Sequence, residues 1–146
     1  MKIEIDQSGR IEYTSTQTVI GDSLGNSIFI KSIDKQYLQQ IYRSIGRPQL
    51  FVFDVFSIMV SFVMAKTYSN ENIYIIDREY YGHEAVLRGL IMKNLHKQNI
   101  PIKKYQVDFG LIGKKSKAHE TVYTRYTLKK KGNIIHAEEI LKQIFS

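Results

Sequence analysis

Residues 3–9 of the chain read IEIDQSG, and residues 73–77 read IYIID. Each stretch is a short apolar run that contains or ends in an aspartate, Asp6 in the first and Asp77 in the second. Side chains alternate across a sheet, and the last residue of a buried strand emerges at the sheet edge, where water and ions reach it. Two such strands side by side would bring Asp6 and Asp77 together.

A pair of close carboxylates predicts a divalent-cation site. Two carboxylates repel each other unless a cation lies between them, and hard cations such as Mg²⁺ or Mn²⁺ prefer oxygen ligands and retain waters. The alternative interpretation of either aspartate is a turn former or a helix N-cap after a strand. Both interpretations stay open at this point.

The length and composition indicate one folded domain of ordinary size. The chain has 146 residues, of which 43% are hydrophobic and 24% charged, so we expect one domain spanning residues 1–146. It contains no cysteine, which excludes disulfides, zinc–thiolate sites and thiol catalysis. No signal-peptide pattern is seen, and a cytoplasmic location is expected.

The charge balance favours a polyanionic partner. Lysine and arginine number 21 against 14 acidic residues, which gives a net charge of +7. The basic residues concentrate between residues 93 and 131, and this stretch is the expected phosphate-contacting face. The alternative is an ordinary lysine-rich solvated surface. The basic residues of the stretch are Lys93, Lys97, Lys103, Lys104, Lys114, Lys115, Lys117, Arg125, Lys129, Lys130 and Lys131.

Hydrophobic periodicity predicts an antiparallel meander followed by helices and further strands. Strands are predicted at 2–6, 14–20 and 27–31, then a helix at 35–44 with Asp34 as its cap. The residues expected on the apolar face of that helix are Tyr37, Leu38, Ile41 and Ile45. The later elements are a strand at 73–77, a helix at 83–98, a strand at 102–109, a helix at 117–130 capped by Ser116, and a helix at 137–145.

Residues 50–64 are almost wholly apolar and predict a buried helix, with a strand turn possible at 50–53. The segment is too short for a comfortable membrane span and contains Asp54, so no membrane anchor is expected. A carboxylate at this place is either a cap for the helix or a buried group that needs a partner or a metal.

The element order predicts an α/β fold with a mixed five-stranded sheet flanked by helices. It is similar to the ribonuclease H-like fold, and the chain from residue 73 onward resembles the RuvC-type Holliday junction resolvases. In that family an acid and an aromatic follow a strand, then come a helix with an internal Arg-Gly, a proline turn, a strand, a Gly-Lys loop and a last helix. The matching stretches are 75–81 (IIDREYY), 87–89 (LRG), 99–102 (NIPI), 107–109 (VDF), 113–116 (GKKS) and 118–120 (AHE).

The resemblance implies a ligand set. Asp6 would be the ligand on the first strand, Asp77 the acid on its neighbour, and His119 or Glu120 the ligand on the final helix; these four are the candidate catalytic residues. Asp6, Asp77 and His119 are the candidate metal ligands. His119 and Glu120 are adjacent, so on a helix they point about 100° apart, and one of them is expected to face elsewhere.

The function that the resemblance implies is hydrolysis of phosphodiester bonds in structured nucleic acid by a metal-dependent endonuclease, most like a Holliday junction resolvase, with Mg²⁺ or Mn²⁺ as cofactor. DNA is expected in preference to RNA. Paired cuts in a junction would need a homodimer, for which the apolar face of residues 50–64 is the candidate interface. The alternative is a non-catalytic nucleic-acid-binding module that keeps the fold.

Contacts to nucleic acid are expected from tyrosines beside the site and from lysines. Aromatic rings can stack on unpaired bases, although tyrosines also serve as core edges. The loop 113–116 is not a Walker motif, because the glycine spacing is wrong, so phosphate-backbone contact is the better account of its lysines. The candidate nucleic-acid-binding residues are Tyr80, Tyr81, Lys104, Lys114, Lys115 and Lys117.

Overall fold

The computed structural model describes residues 1–127 and 133–146 of the chain. Six strands and five α-helices alternate along it. The strands are β1 (Lys2–Ser8), β2 (Thr18–Asp22), β3 (Ser27–Ile30), β4 (Ile73–Asp77), β5 (Val107–Gly110) and β6 (Asn133–Ile134). The helices are α1 (Ser32–Ser44), α2 (Phe51–Ala65), α3 (Glu84–Lys97), α4 (Lys117–Thr127) and α5 (Ala137–Ile144), with short 3₁₀ turns at Pro48–Leu50 and Lys104–Gln106.

The strands form one mixed sheet in the order β5-β4-β1-β2-β3-β6. The first three strands are the antiparallel meander that the sequence predicts, and β4 and β5 continue the sheet parallel to β1. The α/β class is therefore confirmed. The predicted number of five strands is wrong, since β6 adds a sixth beside β3. That strand is only two residues long, too short for an alternating pattern to be seen.

The two faces of the sheet are covered unequally. Side chains such as Ile3, Ile5 and Tyr74 join the main core under α1, α2, α3 and α5. On the other face α4 lies over β1, β2 and β3, where Val122 packs against Val19 and Phe29. Alternation along β1 places Glu4 and Asp6 on the α4 face, because Ile3 and Ile5 occupy the other.

Helix α2 is the central helix of the main core. Ten of its residues are buried, and it packs on β2, β3 and α3. The predicted strand turn at 50–53 is wrong, because this stretch is the end of a 3₁₀ turn and the start of the helix. The segment Pro48–Ala65 is long and apolar enough to cross a membrane, but core helices pass the same test, and 56% of it is buried inside the protein. The candidate dimer interface on α2 therefore loses its basis.

Asp34 is not the predicted cap of α1, and of the two alternatives for Asp54 the structure favours the carboxylate with a partner. Asp54 lies in the first turn of α2 and accepts a hydrogen bond of 2.6 Å from the Tyr42 hydroxyl. Asp34 lies inside α1 rather than before it, and its Oδ1 accepts a hydrogen bond from the amide of Ala137 at the start of α5. Ser116 does cap α4, because its Oγ accepts a hydrogen bond from the amide of Ala118.

Residues 14–17, predicted as part of the second strand, are turns and bends instead. The cause is the buried ammonium group of Lys35, which donates hydrogen bonds to the carbonyls of Arg10 and Tyr13 and to the hydroxyl of Thr18. These bonds hold the 9–17 loop curled against α1. The predicted helix 117–130 is described as far as Thr127, and its remaining residues, with Lys129, Lys130 and Lys131, lie outside the described ranges.

Candidate metal centre

Asp6 and Asp77 lie on neighbouring parallel strands, towards the C-terminal ends of both. The register pairs Ile5 of β1 with Ile76 of β4, which makes the two aspartates the next pair along. Both belong to the α4 face, because their neighbours Ile5 and Ile76 point into the main core. The closeness that the sequence predicts for the two aspartates is confirmed.

A third carboxylate, which the sequence interpretation missed, completes the cluster. Carboxylate oxygens of Asp6, Asp77 and Glu79 all lie within 4.8 Å of one another. Glu79 follows Asp77 by two residues, and a hydrogen bond of 2.9 Å from its amide to the carbonyl of Asp77 closes a tight turn that keeps the two acids together. The spacing Asp77-Arg-Glu79 was the signal in the sequence, since two acids only two residues apart at the end of a strand stay close to each other. The name acidic cluster is used below for these three residues.

The surroundings of Asp6 oppose its charge. Only 6% of the residue is exposed, and burial raises the pKa of its carboxyl; the nearby charge of Asp77 adds to this effect. A hydrogen bond of 2.8 Å from the amide of Gln7 and the contact with His119 act against the rise in pKa. A buried carboxylate next to a second one is stabilised by a bound cation, which offsets both burial and repulsion.

Glu79 is the most strongly shifted member of the acidic cluster. Burial, a side-chain hydrogen bond with Asp77 and the charges of Asp77 and Asp6 raise the pKa of Glu79 to about 7. Arg10 opposes the shift, with its Nη1 at 3.9 Å from Glu79 Oε2. Near neutral pH Glu79 is therefore partly protonated, which lowers the negative charge of the acidic cluster, as happens to close carboxylates when no cation neutralises them.

His119 approaches the acidic cluster from α4. Its Nδ1 lies 3.2 Å from Oδ2 of Asp6, and its ring stacks on that of Tyr123 one turn further along the helix. Ser116 fixes the start of α4 on β1, because its Oγ also donates a hydrogen bond of 2.8 Å to Glu4 Oε1. The helix is thus held where His119 meets Asp6.

Glu120 lies elsewhere, as its position next to His119 predicts. It is exposed and lines an open groove between α4 and the β2–β3 turn, together with Lys117, Thr121 and Ser23. Of the two candidates on the final helix, the structure brings His119 to the acidic cluster and not Glu120. The third carboxylate comes from the β4–α3 loop instead.

Two of the four candidate lysines lie in a loop that is bonded to the acidic cluster, and Lys117 starts α4 beside the groove that Glu120 lines. The loop between β5 and α4 is tied to the acidic cluster, because the amide of Ile112 donates a hydrogen bond of 2.9 Å to Asp77 Oδ1. Lys114, Lys115 and Lys117 follow in this loop and at the start of α4, and all three are exposed. Their ammonium groups can therefore meet a phosphate that approaches the cluster.

Lys104 is not part of this basic surface. It precedes β5, whose first residue Val107 pairs with Tyr74, whereas its last residue Gly110 pairs with Asp77. Lys104 therefore lies at the other end of the parallel strands from Asp77, in a shallow groove with Arg88, Tyr105 and Asp108. It is apart from the loop lysines, because parallel strands separate the residues at their two ends by the strand length. Its contact with nucleic acid stays a prediction.

The structure also separates the two candidate tyrosines. Tyr80 is 8% exposed and packs edge-on against Phe53 and Phe56, with the Arg10 guanidinium 4.9 Å from its ring centre. It cannot stack on a base in this position, so that prediction is wrong for Tyr80. Tyr81, the next residue, is exposed.

The donor set of the acidic cluster fits a hard divalent cation. Three carboxylates supply oxygen ligands, which Mg²⁺ and Mn²⁺ prefer, and the described residues bring no thiolate, since the chain has no cysteine. His119 is not one of these three residues, and its imidazole contacts the carboxylate of Asp6 from α4.

Comparison of the chain with protein-family models, with curated proteins and with solved structures found no match. The family resemblance therefore depends on the residues and the element order alone.

Proposed function

We propose that the protein is a metal-dependent endonuclease of ribonuclease H-like fold that acts on structured nucleic acid. The single observation that carries the proposal is the acidic cluster, in which Asp6, Asp77 and Glu79 present oxygens within 4.8 Å of one another at the end of two parallel strands. The fold assignment is supported by the observed order of the elements, an antiparallel meander followed by helices alternating with parallel strands.

The acidic cluster would hold Mg²⁺ or Mn²⁺, and a bound cation would supply an activated water and stabilise the charge of the leaving oxygen in phosphodiester hydrolysis. The water oxygen would add to phosphorus while the bond from phosphorus to the leaving sugar oxygen breaks. Lys114, Lys115 and Lys117 would position the phosphate by charge. His119 would orient the Asp6 carboxylate through the contact at Oδ2.

The second candidate is a nucleic-acid-binding module without catalysis. One observation favours it: among the described residues, α4 brings only His119 to the cluster, and no carboxylate. Such a module would use the same exposed lysines and would not need a cation.

The test is a cleavage assay on a labelled four-way junction, a duplex, a single strand and an RNA–DNA hybrid, each with Mg²⁺, Mn²⁺ or EDTA. We expect cation-dependent cleavage that Asp6→Asn abolishes while binding is retained. The matched control is Asp108→Asn, on the same face of the neighbouring strand but 63% exposed and paired with Arg88. Salt-sensitive binding with no cleavage under any cation would overturn the nuclease and support the binding module.

A further inference from the structure

The surface of α1 that points away from the core carries an apolar ridge. Ile33, Tyr37, Ile41 and Ile45 follow one another at intervals of four residues, and Ile33, Tyr37 and Ile45 are 70%, 54% and 50% exposed. On a helix, residues four apart form one continuous row. Leu38 and Tyr42, on the adjacent row, are buried in the main core. Helix α1 is therefore apolar on two faces, of which only one is used within the chain.

The ridge continues onto α5. The two helices run side by side in the same direction, since Asp34 bonds the amide of Ala137 at their starts, and towards their ends Ile41 and Ile45 line the same groove as Leu141 and Phe145. Between them lies a groove of about 440 Å³, and Phe145 on its rim is 69% exposed. Four of the twelve large apolar side chains that are exposed in the described residues lie on this one surface.

We propose that this surface, defined as Ile33, Tyr37, Ile41, Ile45, Leu141 and Phe145, is the interface with a second copy of the chain. A row of residues at intervals of four is the unit of the commonest helix packing class, in which two such rows interdigitate with the helix axes crossing at about 50°. Two copies of the ridge can pack on each other about a two-fold axis, which brings the same patch of each copy together.

The charges at the two ends of the surface favour a second copy as the partner and set the relative direction of the two copies. The starts of α1 and α5 carry Asp34, Glu138 and Glu139 against Lys31 and His136, while Lys35 is buried and turned towards the 9–17 loop. The other ends carry Arg43, Arg47 and Lys142. A two-fold axis that sets the two α1 helices in opposing directions brings the acidic end of each copy towards the basic end of the other. Opposing directions also bring opposite ends of the helix dipoles together.

The flanks of the ridge fit such contact. Gln36, Gln40 and Ser44 lie beside it and are neutral and exposed, so no row of like charges repels a second copy along its length. The acidic cluster lies on the opposite face of the sheet, under α4, so the interface leaves it accessible in both copies. The inference does not depend on the nuclease proposal, since it concerns only the association of the free protein.

The test uses single cysteines in a chain that has none of its own. We expect sedimentation of the unmodified protein at micromolar concentrations to show a dimer, and Tyr37→Cys to give a covalent dimer with a short bis-maleimide. Val86→Cys is the matched control, because Val86 is a comparably exposed apolar residue on α3, away from the ridge. A monomer at all micromolar concentrations, or equal cross-linking of both variants, would overturn the proposal.

Substitutions test the surface itself. Ile45→Glu would bury a charge at the contact and is expected to raise the dissociation constant of the dimer by at least about tenfold, equivalent to 1.4 kcal/mol. Val86→Glu is expected to leave it unchanged, and circular dichroism checks that both variants are folded. Arg47→Glu and Glu138→Lys should each weaken the dimer, and the two together should strengthen it relative to either alone. A dimer that Ile45→Glu does not weaken would show that another surface is used.

Discussion

Nδ1 of His119 lies 3.2 Å from Oδ2 of Asp6, across the contact between α4 and the first strand. The two residues are 113 positions apart in the chain, and the contact depends on how α4 is placed over β1. A histidine at this distance from a carboxylate either orients it or donates a proton to it, and it lowers the pKa of Asp6 against the effect of burial. Metal affinity is therefore expected to depend on His119.

His119→Ala is predicted to lower the affinity for Mn²⁺, or the rate of cleavage, by about 10- to 100-fold, the usual loss when a partner of a ligating carboxylate is removed. Without His119 the pKa of Asp6 rises further, so a proton competes better with the metal. Titration of Mn²⁺ binding by calorimetry at several pH values should show that the pH needed for half-maximal binding is higher in the variant.

The matched control for His119→Ala is His136→Ala. His136 also faces an aspartate, with Nδ1 at 3.8 Å from Asp34 Oδ2, but at the start of α5 and on the other side of the sheet. We expect its removal to leave Mn²⁺ binding unchanged. Equal binding curves for His119→Ala and the unmodified protein would show that His119 is only a surface neighbour of the cluster.

Much of the fold could be predicted because the sequence signals were local. The strand at 73–77 was predicted to the residue, since four apolar or aromatic side chains and an aspartate define it without reference to the rest of the chain. The misplaced second strand had a tertiary cause. Lys35 binds carbonyls of the 9–17 loop, and no local pattern in residues 14–17 predicts a contact of this loop with a lysine 18 or more positions away.

The site was predictable in part for the same reason. Asp77 ends β4, and Asp6 follows the last pair of β1 with β4, so strand geometry alone brings them together. Glu79 could have been found from its spacing to Asp77. The burial of Tyr80 depends on Phe53 and Phe56 of α2, which contact it only after the chain has folded. The position of Lys104 relative to Asp77 depends on the parallel direction of β4 and β5, which the local sequence pattern does not show.

Glu79 predicts a pH dependence of stability in the metal-free protein. Its pKa is raised from 4.5 to about 7, so the folded state holds the proton more tightly than the unfolded state. The contribution to stability is fully present below pH 4.5 and is lost as the pH rises through 7; its size is at most about 3 kcal/mol. Thermal unfolding in EDTA should show a melting temperature that falls over this range, and less so for Glu79→Gln.

Glu120→Gln serves as the control for Glu79→Gln, because Glu120 is exposed and lies outside the acidic cluster. Its pH dependence should equal that of the unmodified protein. Adding Mn²⁺ above pH 7 should restore the lost stability, since a ligand that binds only the folded state raises the melting temperature. The same slope in Glu79→Gln and the unmodified protein would contradict the assigned role of Glu79.

The loop lysines predict a specific salt dependence of nucleic-acid binding. Lys114 and Lys115 lie in the loop that is bonded to Asp77, whereas Lys104 lies at the other end of the parallel strands. If each loop lysine neutralises one phosphate, the double variant Lys114→Ala, Lys115→Ala should reduce the slope of log K against log salt by about 2 on duplex DNA. Fluorescence anisotropy measures the slope. Lys104→Ala should leave the slope unchanged. An effect of Lys104→Ala larger than that of the double variant would place the nucleic acid at the end of the strands away from Asp77.

Lys35 is predicted to hold the 9–17 loop, and with it Arg10, in place beside the acidic cluster. Its Nζ donates hydrogen bonds to Arg10 O, Tyr13 O and Thr18 Oγ1 at 3.2, 2.8 and 3.0 Å, and the side chain is fully buried. Lys35→Met keeps the volume but leaves these three acceptors unpaired, so urea unfolding should show a loss of about 3 kcal/mol. Lys66→Met, on an exposed lysine, should change the unfolding free energy by less than about 0.5 kcal/mol.

A pH series separates the charge of Lys35 from its hydrogen bonds. Burial lowers the pKa of Lys35 from 10.5 to about 8, so between these values the unfolded chain binds the proton and the folded chain does not. The stability of the unmodified protein relative to Lys35→Met should therefore rise as the pH increases from 8 towards 10.5. A Lys35→Met variant as stable as the unmodified protein at pH 7 would show that the loop is held by other contacts, and Arg10 would then need another support beside Glu79.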